Sequence, residues 1–196
     1  MSSIPVVLAS SSPRRHELLK KIIAEFTVVP SQLEEVVNPN LTPAEVAMDL
    51  AFQKADEVHF FYPESLIIGA DTLVVCNEEI LGKPIDEADA LRMLTMMSNN
   101  TQLVITGVSF RFKTYTHKFY EVTEIDFSEL DPDFITAYIN SGEPFDKAGG
   151  YGIQGFDDSL IRRLSGSKTN VIGLPVKRLK KELDVFLKQI TQSERA

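Results

Sequence analysis

One cysteine, Cys76, excludes an intramolecular disulfide and leaves no thiolate cluster to hold a metal. Histidine is nearly as scarce, and the spacing of His16, His59 and His117 matches no zinc site. Basic charge is in deficit, with 20 Lys and Arg against 28 Asp and Glu and a formal net charge of −8. That balance argues against bulk nucleic-acid binding, which wants a basic face. It leaves a single small anion open, because such a ligand needs only local positive charge. No apolar run approaches the ~20 residues that span a bilayer. The apolar N-terminal run lacks a basic region and is too short for a signal peptide, so a cytoplasmic protein is expected. A Walker lysine motif and a serine nucleophile elbow are both absent. With no repeat, low-complexity tract or linker, the chain reads as a single mixed α/β domain over residues 1–196.

What is present centres on SSSPRRHELL, Ser10–Leu19. An apolar run, Ile4–Ala9, leads in as a short strand. Pro13 then stands at a first helical position with Ser12 as N-cap. Leu18, Leu19, Ile22 and Ile23 follow at helical spacing. A strand turning through small hydroxyl residues into a helix start favours an anion. Arg14 and Arg15 in the first turn oppose the helix dipole, a cost most simply explained if both reach an anionic ligand.

Further along, Phe26–Pro30 reads as a strand and Ser31–Leu41 as a polar loop carrying Glu34 and Glu35. Thr42-Pro-Ala-Glu45 is a capping box that starts a helix from Pro43 to about Val58. Leu66–Val75 is an apolar strand, with Ile80–Pro84 as the return arm of a hairpin through Asn77-Glu78. Asp86 caps a helix from Glu87 to about Met97, whose Ala88, Leu91, Met93, Leu94 and Met97 are expected in the core. Leu103–Phe112 and Lys118–Phe127 alternate as two long antiparallel strands. Asp131-Pro132 starts another helix, ended by Gly142. Leu160–Leu164 reads as a strand, Ser165–Thr169 as a loop, Asn170–Pro175 as a turn and Val176–Ile190 as a closing helix.

Asp71 lies inside the apolar strand, where a carboxylate must be paired, bind a metal or act in chemistry. Joined by Glu35, it would form an oxygen-ligand site of the kind magnesium uses with phosphates. Lys54, Lys83 and Lys147 converging with Arg14 and Arg15 would make a basic pocket of triphosphate size. Gly150-x-Gly152-x-x-Gly155 matches the dinucleotide fingerprint in form, but it follows a polar segment and opens no amphipathic helix. These residue types favour metal-assisted chemistry on a phosphate over acyl transfer.

Five blocks in fixed order carry a resemblance: SSSPRRHELL, ADT at Ala70–Thr72, GKP at Gly82–Pro84, DKAGGYGIQG at Asp146–Gly155 and NVIGLP at Asn170–Pro175. Together they closely resemble the Maf family of nucleoside triphosphate pyrophosphatases. The resemblance implies an elongated mixed central sheet with flanking helices and two lobes around a nucleotide cleft, similar to the inosine triphosphatases. It also implies hydrolysis of a nucleoside triphosphate to the monophosphate and pyrophosphate with a divalent cation, Mg²⁺ or Mn²⁺. Asp71 is then the general base and a metal ligand, Glu35 a metal ligand and Lys83 catalytic. Ser10, Ser12, Arg14, Lys54 and Lys147 line the phosphates. Arg15, Thr72 and Gln154 match the branch that prefers dTTP and UTP; the alternative within the family is 7-methyl-GTP. A homodimer and a house-cleaning or cell-division-linked role are also implied. A nucleotide sensor without turnover is the competing class, and the Asp71, Lys83 and Glu35 set favours catalysis. Gly150 stands where alanine is common, and Lys168-Thr169 where tyrosine and serine are common.

Overall fold

The structure, a computed structural model, describes residues 4–153 and 158–193. It is a mixed α/β fold built on a seven-stranded sheet. In chain order the elements are β1 (Val6–Leu8), α1 (Pro13–Leu19), β2 (Thr27–Val28), α2 (Pro43–Phe61), β3 (Leu66–Cys76), β4 (Glu79–Leu81) and α3 (Glu87–Met97). There follow β5 (Thr101–Phe112), β6 (Tyr115–Phe127), α4 (Pro132–Asn140), β7 (Ile161–Ser165), α5 (Lys168–Ile172) and α6 (Val176–Ser193). The strand order is β2-β1-β3-β5-β6-β7, with β4 paired to β3 off this path. β2 and β3 run parallel to β1, whereas β4 and β7 are antiparallel to their partners.

The local signals act as their chemistry requires. Ser12 accepts the Arg15 amide at 3.4 Å and caps α1. Thr42 and Glu45 exchange both bonds of the capping box, and Asp86 and Asp131 cap α3 and α4. Asn77 and Glu78 take the left-handed backbone, φ 49° and 66°, that a two-residue hairpin between β3 and β4 needs.

Several expectations are corrected. α1 stops at Leu19, and Ile22 and Ile23 lie beyond it in a half-buried turn. β2 keeps only two residues of the expected strand. Ala88 and Leu91 are exposed, because the buried stripe of α3 is Ala90, Met93, Leu94 and Met97, and those two fall off its phase. Lys168–Ile172 is a helix where a loop and a turn were expected. Ser167 starts it by accepting the Asn170 amide on both its carbonyl oxygen (3.0 Å) and its hydroxyl (3.3 Å).

The chain forms two compact units, one comprising the residues up to Asp71, Thr106–Glu121 and Gly173 onward, the other Thr72–Ile105 and Val122–Ile172. In the first, Val7, Ala9, Ala55, Val58 and Ile67 pack together. Phe110, Phe119 and Phe186 form an aromatic cluster there, with ring centroids 5.5 Å apart around Phe110. The second is centred on Val74, Leu81, Met93, Leu94, Met97, Val104, Ile125, Phe127 and Tyr151.

Within the first unit α2 lies against β3 and β5 at backbone contact. A Cβ on Gly69 would stand 2.2 Å from the Ala51 carbonyl oxygen, and one on Gly107 would stand 2.2 Å from the Ala47 carbonyl carbon. Backbone atoms cannot rotate away as a side chain can, so the helix itself would have to move. Gly69→Ala and Gly107→Ala are each expected to destabilise by about 3 kcal/mol or more, at the upper end of overpacking costs. In thermal unfolding that corresponds to roughly 6–12 °C for a chain of this size. Gly82→Ala, with nothing within 4 Å of the added methyl, is expected to unfold like the parent.

Candidate active site

The first unit gathers seven of the expected residues around the end of β1, the middle of β3 and one face of α2. Asp71 is 8% exposed within β3. Lys54, in the fourth turn of α2, places its ammonium Nζ 2.5 Å from Asp71 Oδ1 and 2.8 Å from Glu35 Oε1. One ammonium thus joins two carboxylates from separate parts of the chain. These are the only partners of Lys54 among the described residues, and a lysine ammonium has three N–H groups.

Gly69 explains the reach. It precedes Asp71 by two residues, so both face the same side of β3. The contact of Gly69 with Ala51 and Ala55 brings the helix turn that carries Lys54 close to that side.

The serine turn supplies the other wall. Ser10 is buried, and its hydroxyl accepts the Ser12 amide at 3.2 Å and Arg15 Nη1 at 3.4 Å. Arg15 Nε donates to the Gly173 carbonyl at 2.9 Å. Its guanidinium is therefore tied both to the turn that precedes α1 and to the turn that precedes α6. Burial pulls that guanidinium below the ordinary arginine value; Asp71 opposes the shift, Arg14 adds to it and Glu35 opposes it. Two cations and two carboxylates thus share one field with Lys54, and Arg14 is half-buried beside them.

Glu35 sits on an exposed segment that is laced to α2. Glu57 accepts the Ser31 hydroxyl, the Gln32 amide at 2.9 Å and the Leu33 amide at 3.3 Å. Gln53 accepts the Val36 amide at 3.1 Å and donates to the Val36 carbonyl at 2.8 Å. Sequence reasoning passed over Gln53 and Glu57. The available signal was their one-turn spacing on a capped helix, next to Lys54.

The second unit holds Thr72, Lys83 and Lys147. Thr72 is half-buried in β3, and Lys83 is exposed between Gly82 and Pro84. The Gly149 amide donates to the Gly82 carbonyl at 2.9 Å, so the loop that carries Lys83 is joined to the one that carries Lys147. The Lys147 ammonium donates to the Glu143 carbonyl at 2.5 Å, Glu143 Oε2 at 2.8 Å and Asp146 Oδ1 at 2.6 Å. Burial works against its charge, but Asp146 and Glu143 outweigh it and hold the ammonium above its ordinary value. All three donors of Lys147 are thereby committed to its own loop. Asn170, another residue the sequence left without a role, is buried and donates to the Val104 carbonyl at 2.9 Å and the Thr123 hydroxyl at 3.0 Å. Gln154 lies outside the described residues.

No group of three or more His, Cys, Asp or Glu suited to a metal occurs among the described residues. Glu35 and Asp71 still converge on a single cation, the Lys54 ammonium. Two carboxylates fit a magnesium-type ion that keeps several waters and takes its other ligands from substrate phosphates.

The family model for Maf-like proteins matches residues 5–186. A dTTP/UTP pyrophosphatase of Bacillus cereus is 43% identical over 188 residues, 96% of this chain and 98% of its own length. Those of Bacillus cytotoxicus and Agathobacter rectalis are each 46% identical, over 92% and 91% of this chain and 94% and 95% of their own lengths. Among solved structures, a HAM1 protein from Coxiella burnetii overlays with a TM-score of 0.52 at 12% identity, over 95% of this chain and 100% of its own. That last likeness is one of fold alone. The family match over nearly the whole chain and these identities lead to one conclusion: the chain belongs to the family of Maf-like proteins.

Proposed function

We propose that residues 1–196 act as one nucleotide pyrophosphatase domain that hydrolyses dTTP and UTP to the monophosphate and pyrophosphate. The observation that carries this reading is the convergence of Asp71 and Glu35 on the Lys54 ammonium, beside the turn that runs from the buried Ser10 to Arg15. Relatives at 43–46% identity named dTTP/UTP pyrophosphatase support the choice of substrate.

Phosphoryl chemistry asks the protein mainly for positioning and charge neutralisation. Asp71 Oδ1 is engaged by Lys54, so Oδ2 is the oxygen assigned to take a proton from the attacking water. Lys54 keeps one N–H for a phosphate oxygen while the other two hold the carboxylates. Arg14, Ser10 and Ser12 bind phosphate oxygens from the serine turn and Lys83 from its own loop, and Lys147 does so only by releasing Glu143 or Asp146. Glu35 and Asp71 would hold a Mg²⁺ or Mn²⁺ ion, which when bound supplies Lewis-acid neutralisation of the triphosphate. Arg15, Thr72 and Gln154 are assigned to reading the base. No described helix is long and apolar enough to cross a membrane. The cytoplasm is proposed as the place of the reaction because its substrates are free nucleotides, and a homodimer remains a family expectation.

Asp71→Asn keeps an acceptor oxygen for Lys54 but removes the base. It is expected to retain nucleotide binding and lose about 10²-fold or more in kcat; near-normal turnover sinks the assignment. In ¹⁸O-labelled water the label is expected in the monophosphate, with activity lost after chelation and restored by Mg²⁺ or Mn²⁺. Label in orthophosphate would instead mean removal of the γ-phosphate. Across dTTP, UTP, GTP and 7-methyl-GTP, kcat/KM is expected to favour the two pyrimidines by about 10²-fold, the scale at which unmatched polar groups discriminate. A guanine preference overturns the substrate reading.

A further inference from the structure

Residues 32–40 are all exposed, with Leu33 at 44% and Val36 at 68%. The stretch that carries Glu35 therefore has no apolar burial to hold it in place. A loop without packing samples many backbone states, and each state that moves a carboxylate away from its partners is a state in which the site is incomplete. Here the order is supplied by polar side chains of α2.

Glu57 grips the chain before Glu35, through the Ser31 hydroxyl and the Gln32 and Leu33 amides. Gln53 grips it immediately after, through both backbone groups of Val36. The two side chains are four residues apart on one helix face, so they meet the loop one turn apart and bracket Glu35. Asp49, a further turn back, accepts Gln53 Nε2 at 2.8 Å. That bond fixes which end of the amide is the donor, and the remaining oxygen is then correctly turned to accept the Val36 amide. A residue that merely covered the helix surface would not need two opposed bonds to the backbone of one residue. We propose that Gln53 and Glu57 are positioning residues: they clamp residues 31–36 on α2 so that Glu35 meets Lys54, and they act on the reaction only through Glu35. The catalytic consequence rests on the pyrophosphatase reading above, whereas the clamp itself does not.

The test joins hydrogen exchange to a double-mutant cycle, on the full chain. In the wild type the Gln32, Leu33 and Val36 amides are expected to be protected. Glu57→Ala is expected to speed exchange at Gln32 and Leu33, and Gln53→Met at Val36, by about tenfold or more. Glu35→Ala should leave all three protected. Unprotected amides in the wild type, or protection lost only when Glu35 is removed, overturn the clamp. With dTTP and magnesium, Gln53→Met and Glu57→Ala are each expected to lower kcat/KM by about tenfold, as small misplacements do. Glu57→Gln, which keeps an acceptor oxygen, should recover most of the loss. In a Glu35→Ala background the same substitutions should cost less than about twofold, because coupled residues are not additive. Equal losses with and without Glu35, or no loss where Glu35→Ala is impaired, overturn the positioning role. Intact protection in a wild type that releases no pyrophosphate would count against the pyrophosphatase reading and leave the clamp standing.

Discussion

The ion contact of Lys54 with both Asp71 and Glu35 is the constraint on which the rest of this site depends. Each partner is awkward alone. Asp71 is a carboxylate in an apolar strand, which is costly to bury without a counter-charge. Glu35 lies on an exposed segment with no packing to hold it. A lysine on a long helix solves both problems, because α2 is packed along its length and its fourth turn offers a fixed base for the side chain. The side chains of Lys54 and Asp71 are 15% and 12% exposed, so water screens the contact far less than it screens a surface pair. Removing the ammonium would leave two like charges facing each other, one of them buried.

That geometry is bought by small residues some distance from the chemistry. Ala47, Ala51 and Ala55 face Gly107 and Gly69, and the backbone contact they permit sets how far the Lys54 side chain must reach. The core and the site are therefore one construction: the side of β3 that receives α2 at Gly69 receives Lys54 at Asp71. Helix propensity and apolar patterning would tolerate larger residues at these positions. The contact distances do not.

Sequence reading recovered what is written locally. The caps at Ser12, Thr42, Asp86 and Asp131 and the hairpin at Asn77-Glu78 depend on residues within four positions of one another, and they stand where expected. Asp71 was legible as an out-of-place acid and Glu35, in its polar loop, only as a second carboxylate beside it; their shared partner was not, since Lys54 alone looks like any helix-surface lysine. Gln53, Glu57, Asn170 and the Gly173 carbonyl were missed for the same reason. Their roles lie in bonds to chain 17 to 158 residues away, and a polar side chain carries no periodic mark of its partner. The α5 helix is hidden in the sequence because five residues are too few to show a helical period, and Ser167 reads there as part of a loop.

The two buried-end lysines differ in a way that assigns them different work. Lys147 has all three N–H groups satisfied by Glu143 and Asp146, and those carboxylates raise its affinity for its own proton. To touch a phosphate it must surrender an anion already in contact, so its net gain is the difference between two charged partners. Lys54 gives two of its three donors to carboxylates and keeps one. A phosphate oxygen can therefore join it without displacing either carboxylate. An arriving anion is attracted by the ammonium but repelled by Asp71 and Glu35, so it is held by the balance of the two. The placement of Asp71 and Glu35 thus rests on a cation that has no third partner among the described residues, whereas Lys147 is already satisfied within its own loop.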